Sequence, residues 1–248
     1  PKLKLDEYPE LSDYSWEDCH KGSIGAGDLF LTSELAKKMN LKQGMRILEL
    51  GAGNCLSSIY LAKEYKVEVF AADLYIDPTS NWKRVKEENV EDYVKPIKMD
   101  AREILFPENY FDVVFSMNSY FYFGTDDSYL SYLLKFIKDN GLISIASPCF
   151  AKEFESGIPE KFLFDHPENI ESYLIHSPVW WENHFNKLGL VKVLEGSEHP
   201  KGREFWLDSI RWRIESGDNL EDFMQDIIML LNDESNLLTY FTLLARKL

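Results

Sequence analysis

MRILELGAGN, residues 45–54, carries an apolar run straight into a glycine turn. Ile47, Leu48 and Leu50 read as a buried parallel strand, and from residue 56 to 63 the apolar spacing becomes helical. Gly51 and Gly53 supply open backbone angles and leave out the side chains that would keep a ligand off the main chain. Glu49 falls at the end of the strand, the edge at which open α/β sheets bind their ligands. An acid there is costly unless a ligand or a hydrogen-bond partner uses it. The turn is therefore expected to hold a ligand.

Outward from the turn, residues 67–72 form a second short apolar strand ending on Asp73. That acid follows the turn by about 20 residues, the separation at which a βαβ unit sets a carboxylate against a ribose diol. In these residues the sequence resembles the class I S-adenosylmethionine-dependent methyltransferases. Their pattern is an acid two residues before a Gly-x-Gly turn, then an acid closing the second strand. Glu49, Gly51, Gly53 and Asp73 match it, whereas Cys55 stands where the family usually has a third glycine. The resemblance implies S-adenosyl-L-methionine as cofactor and S-adenosyl-L-homocysteine as product. It implies cofactor contacts from Glu49, Gly51, Ala52, Gly53, Asp73, Leu74, Asp100, Ala101, Ser116 and Asn118, with Asp100 and Ala101 at the adenine ring. Asp100 also reads as a turn acid or as the cap of a helix over 102–105. A dinucleotide site is the rival reading of the turn. It asks for glycine at the position of Leu56, and it seats a pyrophosphate that Glu49 would repel.

The chain has 248 residues, 45% of them hydrophobic and 14% aromatic, enough for a large core without disulfides or a metal. Its net charge of −15 repels nucleic-acid phosphates and anionic headgroups, so nucleic acid is not an expected partner. Cys19, Cys55 and Cys149 have no Cys-x-x-Cys spacing, which suits a reducing, cytoplasmic setting. No apolar run is long enough to span a bilayer, no signal peptide is visible, and no His/Cys/Asp spacing suggests a metal site.

Taken in order, residues 1–40 read as an N-terminal arm and helix, the glycine-rich stretch 21–27 serving either as a mobile segment or as a lid. Residues 41–248 read as one domain with insertions at about 148–178 and 200–232. Strands are expected over 45–50, 67–72, 94–99, 111–117, 142–146, 191–195 and 238–244, the third at an edge because it holds Pro96. Helices begin near Leu31, Asn81 and Trp180, and one carries Leu130, Leu133, Leu134 and Ile137 before Asn140 and Gly141 end it. This alternation predicts an α/β, doubly wound, mostly parallel sheet. The resemblance makes it the seven-stranded Rossmann-like methyltransferase fold, with helical insertions and a C-terminal strand slotted antiparallel between the fifth and sixth.

Methyl transfer from a sulfonium is an in-line displacement with a leaving group already activated, so positioning and water exclusion carry most of the catalysis. The expected acceptor is a small molecule of apolar or aromatic character. Its walls are expected from Tyr120, Tyr122 and Phe123 in the loop after the fourth strand, with Trp180, Trp181, Phe205 and Trp206 behind them. Each of these aromatics also reads as core, Trp206 first among them. His20, Tyr122 and His166 are candidates for a catalytic base. Two further readings stand beside this one, a cyclopropane-synthase-like enzyme acting on lipid and a non-catalytic protein that binds S-adenosylmethionine. For a protein acceptor no feature speaks.

Overall fold

The computed structural model describes residues 4–163 and 171–248. In chain order the regular elements are α1 (Trp16–His20), α2 (Asp28–Met39), β1 (Arg46–Leu50), α3 (Leu56–Tyr65), β2 (Glu68–Asp73), α4 (Pro78–Glu87), β3 (Val94–Lys98) and β4 (Phe111–Met117). They continue with α5 (Tyr129–Leu133), β5 (Ile137–Phe150), α6 (Glu171–Leu174), α7 (Pro178–Asn186), β6 (Val191–Glu198), α8 (Gly202–Ser216), α9 (Met224–Asn232) and β7 (Leu238–Lys247).

Seven strands make one sheet in the order β3-β2-β1-β4-β5-β7-β6. β1 pairs in parallel with β2 and β4, while β7 runs antiparallel between β5 and β6. The strand order reverses between β1 and β4, and the crevice at the carboxyl end of such a reversal is where this architecture binds ligands. Side chains alternate across the strands. Ile47, Val113 and Phe115 pack with Leu29, Phe30, Phe205 and Trp206 on one face, and Leu48, Val114 and Ile143 with Leu130, Leu133 and Phe185 on the other. Pro96 lies in edge strand β3, where its missing N–H leaves no gap in the sheet.

Several boundaries differ from the sequence expectation. The helix carrying Leu130 ends at Leu133, a single 3₁₀ turn follows over Leu134–Phe136, and Ile137 pairs with Phe111 in the sheet. Asn140 and Gly141 sit in an irregularity inside β5, with Asn140 at φ 61°, so they shift the register instead of ending a helix. A Cβ on Gly141 would meet the Ile137 side chain at 2.5 Å. β5 pairs with β7 as far as Phe150, so Pro148 belongs to the strand and not to an insertion. Helices α4 and α7 start at Pro78 and Pro178, each a proline in the first turn preceded by a capping side chain, Asp77 and Ser177. α2 starts at Asp28, three residues before the expected Leu31. Residues before α1 pack onto α2, with Tyr8 against Phe30 at 4.8 Å between ring centres. Among the described residues no helix is long and apolar enough to cross a membrane.

Candidate active site

The turn after β1 holds three residues at positive φ: Gly51 (73°), Gly53 (52°) and Cys55 (63°). Cys55 thus adopts the left-handed conformation that glycine occupies without strain, and it is fully buried. The Gly51 and Ala52 amides donate to the Ala72 carbonyl at 2.9 and 3.0 Å, lacing the turn to the end of β2. A Cβ on Gly51 would lie 2.2 Å from the Ser119 Oγ, so the loop after β4 admits only glycine here. Ser116 and Ser119 both donate to the Leu50 carbonyl, at 2.9 and 2.7 Å, and fasten β4 to the end of β1.

Asp73 organises the turn from the β2 side. Its Oδ2 accepts from the Gly53 amide at 2.8 Å, and its Oδ1 accepts from the Tyr75 and Ile76 amides at 2.8 and 2.9 Å. Each carboxylate oxygen has about two acceptor positions. Oδ1 is filled by these bonds and Oδ2 keeps one place for a further donor. Asn81 holds the opposite side of the turn, donating to the Gly53 carbonyl at 2.8 Å.

Glu49 is placed differently from the expectation. Its side chain is completely buried beneath the turn, accepting from the hydroxyls of Ser57 and Ser58 in the first turn of α3, and it does not line the cavity. Along β1 it shares a face with Ile47 and not with Leu48, which turns it towards α3. Burial pushes its carboxyl up to about 7, the two serines oppose this, and the nearby charges of Asp28 and Asp73 add to it. Glu49 thus supports the turn from below.

Residues 22–28 cross over the turn. Asn54 Nδ2 donates to the Gly22 carbonyl at 3.0 Å, Asn118 Nδ2 to the Ala26 carbonyl at 3.2 Å, and Arg213 Nη2 to the Ile24 carbonyl at 2.7 Å. Gly25 packs so tightly on Asn118 that a Cβ would come within 2.2 Å of its Nδ2. Asp28 ends the segment, its carboxyl accepting from Ser23 and Asn118 and raised above the ordinary range by burial. The Asn118 Oδ1 is buried with no hydrogen-bond partner.

Together these elements enclose a cavity of about 750 Å³, the size range of a small-molecule site. Gly51, Ala52, Gly53, Asp73, Leu74, Asp100, Ala101 and Asn118 line it, as do Tyr122, Phe123 and Trp206. Asp100 accepts from Arg102 through the backbone N–H at 2.8 Å and through Nε and Nη2 at 3.0 and 2.9 Å. That pairing holds its carboxyl below the ordinary range, and residues 102–105 form no helix for it to cap.

The remaining expected residues lie elsewhere. Ser116 is a buried clamp between strands. Tyr120 is buried against Trp181 and Phe185, with ring centres 5.7 and 5.8 Å away. Trp181 stacks on Phe241 at 5.6 Å between α7 and the sheet, and Trp180 lies between His176 and His184 at 3.8 and 4.6 Å. Phe205 is core, packed on Phe30. Each is an aromatic whose element turns it away from the crevice. His20 Nδ1 sits 2.9 Å from the Trp16 carbonyl, its ring packs tilted against Trp16 at 4.3 Å, and it faces a separate depression. His166 lies outside the described residues. Sequence reasoning missed Asp28, Arg213, Asp226 and Tyr240, all on the cavity wall. Asp28 had a visible signal, an acid closing the glycine-rich run, but such an acid reads first as a helix start.

Residues 47–141 match the profile of a family described as a methyltransferase domain. Phosphoethanolamine N-methyltransferase 1 of Arabidopsis thaliana is 26% identical over 129 residues, 52% of this chain and 26% of that protein. The chain thus spans about a quarter of the length of the curated relatives it matches first. Phosphoethanolamine N-methyltransferase 2 of Haemonchus contortus, solved with S-adenosyl-L-methionine, superposes with a TM-score of 0.71 at 20% identity, covering 98% of this chain and 59% of that one. The (4+2)-cyclase SpnF superposes with a TM-score of 0.73 at 14% identity, covering 98% and 94%. Likeness at these identities establishes the fold and not the reaction. The seven-stranded sheet built around residues 47–141, the stretch that matches this methyltransferase-domain profile, has the fold of these solved structures.

Proposed function

We propose that this chain binds S-adenosyl-L-methionine and transfers its methyl group to a small molecule, releasing S-adenosyl-L-homocysteine. The observation that carries the reading is the convergence of three carboxylates, Asp28, Glu49 and Asp73, around a glycine turn that opens into a cavity. The Asp73 carboxylate and the mainly acidic wall favour a cationic nucleoside and disfavour a pyrophosphate. The open place on Asp73 Oδ2 suits a ribose hydroxyl, and Leu74, Asp100 and Ala101 offer a wall for the adenine. The unpartnered Asn118 Oδ1 beside Asp28 suits an ammonium donor at the methionine end. When bound, the cofactor supplies a methyl already activated on a sulfonium. This chain's contribution is to hold the acceptor in line and to keep water out.

Residues 22–28 are the part of the N-terminal arm suited to that exclusion, as a lid over the cofactor turn. We place the lid in 1–40 and the catalytic domain in 41–248. A cytoplasmic location fits three buried, unpaired cysteines. The relatives named for phosphoethanolamine favour a small acceptor over a lipid, and nothing observed favours the cyclopropane-synthase alternative. The test uses methyl-labelled S-adenosyl-L-methionine with a pooled small-metabolite extract. Label in a low-mass product supports the reading. Cofactor binding with no transfer to any acceptor would leave a binding protein in its place.

A further inference from the structure

Resting on that reading, the acceptor belongs in the part of the cavity furthest along the sheet from the cofactor turn. β7 stands three strands from β1, about 14 Å across the sheet. Tyr240 of β7 pairs with Pro148, two residues beyond Ala146, which is level with Met117 at the end of β4. Tyr240 is thus carried past the carboxyl edge of the parallel strands, and it lines the cavity together with Pro148. The surrounding wall is apolar: Trp206 packs 5.4 Å from the Tyr240 ring, and Ile210, Phe223 and Met229 complete it. We infer that Tyr240 selects the acceptor, its hydroxyl donating to an uncharged carbonyl or ether oxygen of a compound whose carbon skeleton lies against Trp206 and Phe223.

Three observations carry this. The first is an unspent proton. The Tyr240 oxygen accepts from the Ala26 amide at 3.3 Å, and among the described residues no hydrogen bond takes the phenol's own proton. Tyr240 is buried, so a donor left unpaired there costs free energy that a ligand oxygen recovers. An ammonium brings no lone pair to that proton. The second is burial. Removal from water holds the phenol well above its ordinary range, with Asp28 adding to this, the Ala26 amide opposing it and Asp226 adding further. The hydroxyl is therefore a donor and not a base. The same dry surroundings penalise any anion seated against it unless a cation stands beside it.

The third is that the neighbouring polar groups are engaged. Among the described residues, Arg102 and Arg213 are the cations that line the cavity. Arg102 is paired with Asp100. Arg213 donates to the Ser23 and Ile24 carbonyls, faces Asp218 at 3.6 Å and lies 5.2 Å over the Phe223 ring. A carboxylate or phosphate at Tyr240 would find no open guanidinium to pair with. Asp28 accepts from Ser23 and Asn118, and Trp206 Nε1 donates to the Thr239 carbonyl at 3.3 Å. The Tyr240 hydroxyl is what this wall leaves for a ligand, and a neutral oxygen is what fits it.

The test is calorimetry on the full chain saturated with S-adenosyl-L-homocysteine, titrated with acetophenone, with α-methylstyrene, in which a methylene replaces the carbonyl oxygen, and with benzoate. The ketone is expected to bind about fivefold tighter than the hydrocarbon, the worth of one hydrogen bond, and benzoate more weakly than either. Tyr240→Phe keeps the ring on Trp206 and removes only the hydroxyl, so the preference should vanish. A hydroxyl serving structure alone would, on removal, weaken ketone and hydrocarbon alike and leave their ratio unchanged. The infrared carbonyl stretch of the bound ketone should also lie lower in the parent than in the variant. Equal binding of ketone and hydrocarbon by the parent, which needs no variant, would overturn the assignment while leaving the cofactor reading intact. So would tighter binding of benzoate, no binding of the ketone, or a preference or carbonyl shift that survives in Tyr240→Phe. Absence of heat from S-adenosyl-L-homocysteine itself would overturn both.

Discussion

Three carboxylates with different neighbours divide the work at the site. Glu49 is the most confined. Its folded-state value of about 7 lies above the 4.5 of an ordinary glutamate, so the folded chain prefers it protonated. Stability is therefore lost as pH rises through that window, by about 3 kcal/mol for a shift of this size. Glu49→Gln imitates the protonated form and removes the dependence. Denaturant unfolding should show the variant gaining on the parent between pH 5 and pH 8, and an identical difference at both would mean the carboxyl is not perturbed. Asp73 has a structural duty of its own, since three backbone amides donate to it. Asp73→Ala should weaken cofactor affinity by roughly 1–3 kcal/mol, the scale for bonds to a charged group, with a matching loss of stability. Unchanged affinity by calorimetry would remove Asp73 from the ribose role.

At the scale of elements, the turn and the loop after β4 are interlocked. Gly51 is required by φ 73° and by Ser119, whose Cβ would lie 2.4 Å from an added Cβ. Gly51→Ala should cost at least ~2 kcal/mol of stability, the left-handed penalty plus the collision. Ser119→Gly in the same chain should restore part of that loss, because it removes the colliding atoms. A double variant no more stable than Gly51→Ala alone would show that the collision is not the cause. The strands and helices up to Met117 were legible because period and glycine punctuation agree there. The Asn140–Gly141 pair was misread because the same dipeptide ends helices and forms bulges, and pairing of Ile137 with Phe111 decides between them. At the site, the motif residues were legible but their partners were not. Whether Glu49 faces a ligand or two serines depends on which face α3 covers. Asp28 acquires its role only through Asn118, 90 residues away in the chain. The aromatic loop shows the same limit, since composition alone does not separate Tyr122 on the cavity wall from Tyr120 in the core.

For the whole molecule, the sheet reversal between β1 and β4, the crossing segment 22–28 and helices α8 and α9 close one cavity whose titratable wall is mainly acidic. A net charge of −15 extends that field outward and favours the approach of cations. The central claim is that this field and the glycine turn together select a sulfonium nucleoside. Calorimetric titration of the full chain with S-adenosyl-L-methionine, S-adenosyl-L-homocysteine and NAD tests it most directly. The account predicts one site for each of the first two and no heat from NAD; saturable binding of NAD with no response to either of the others would contradict it.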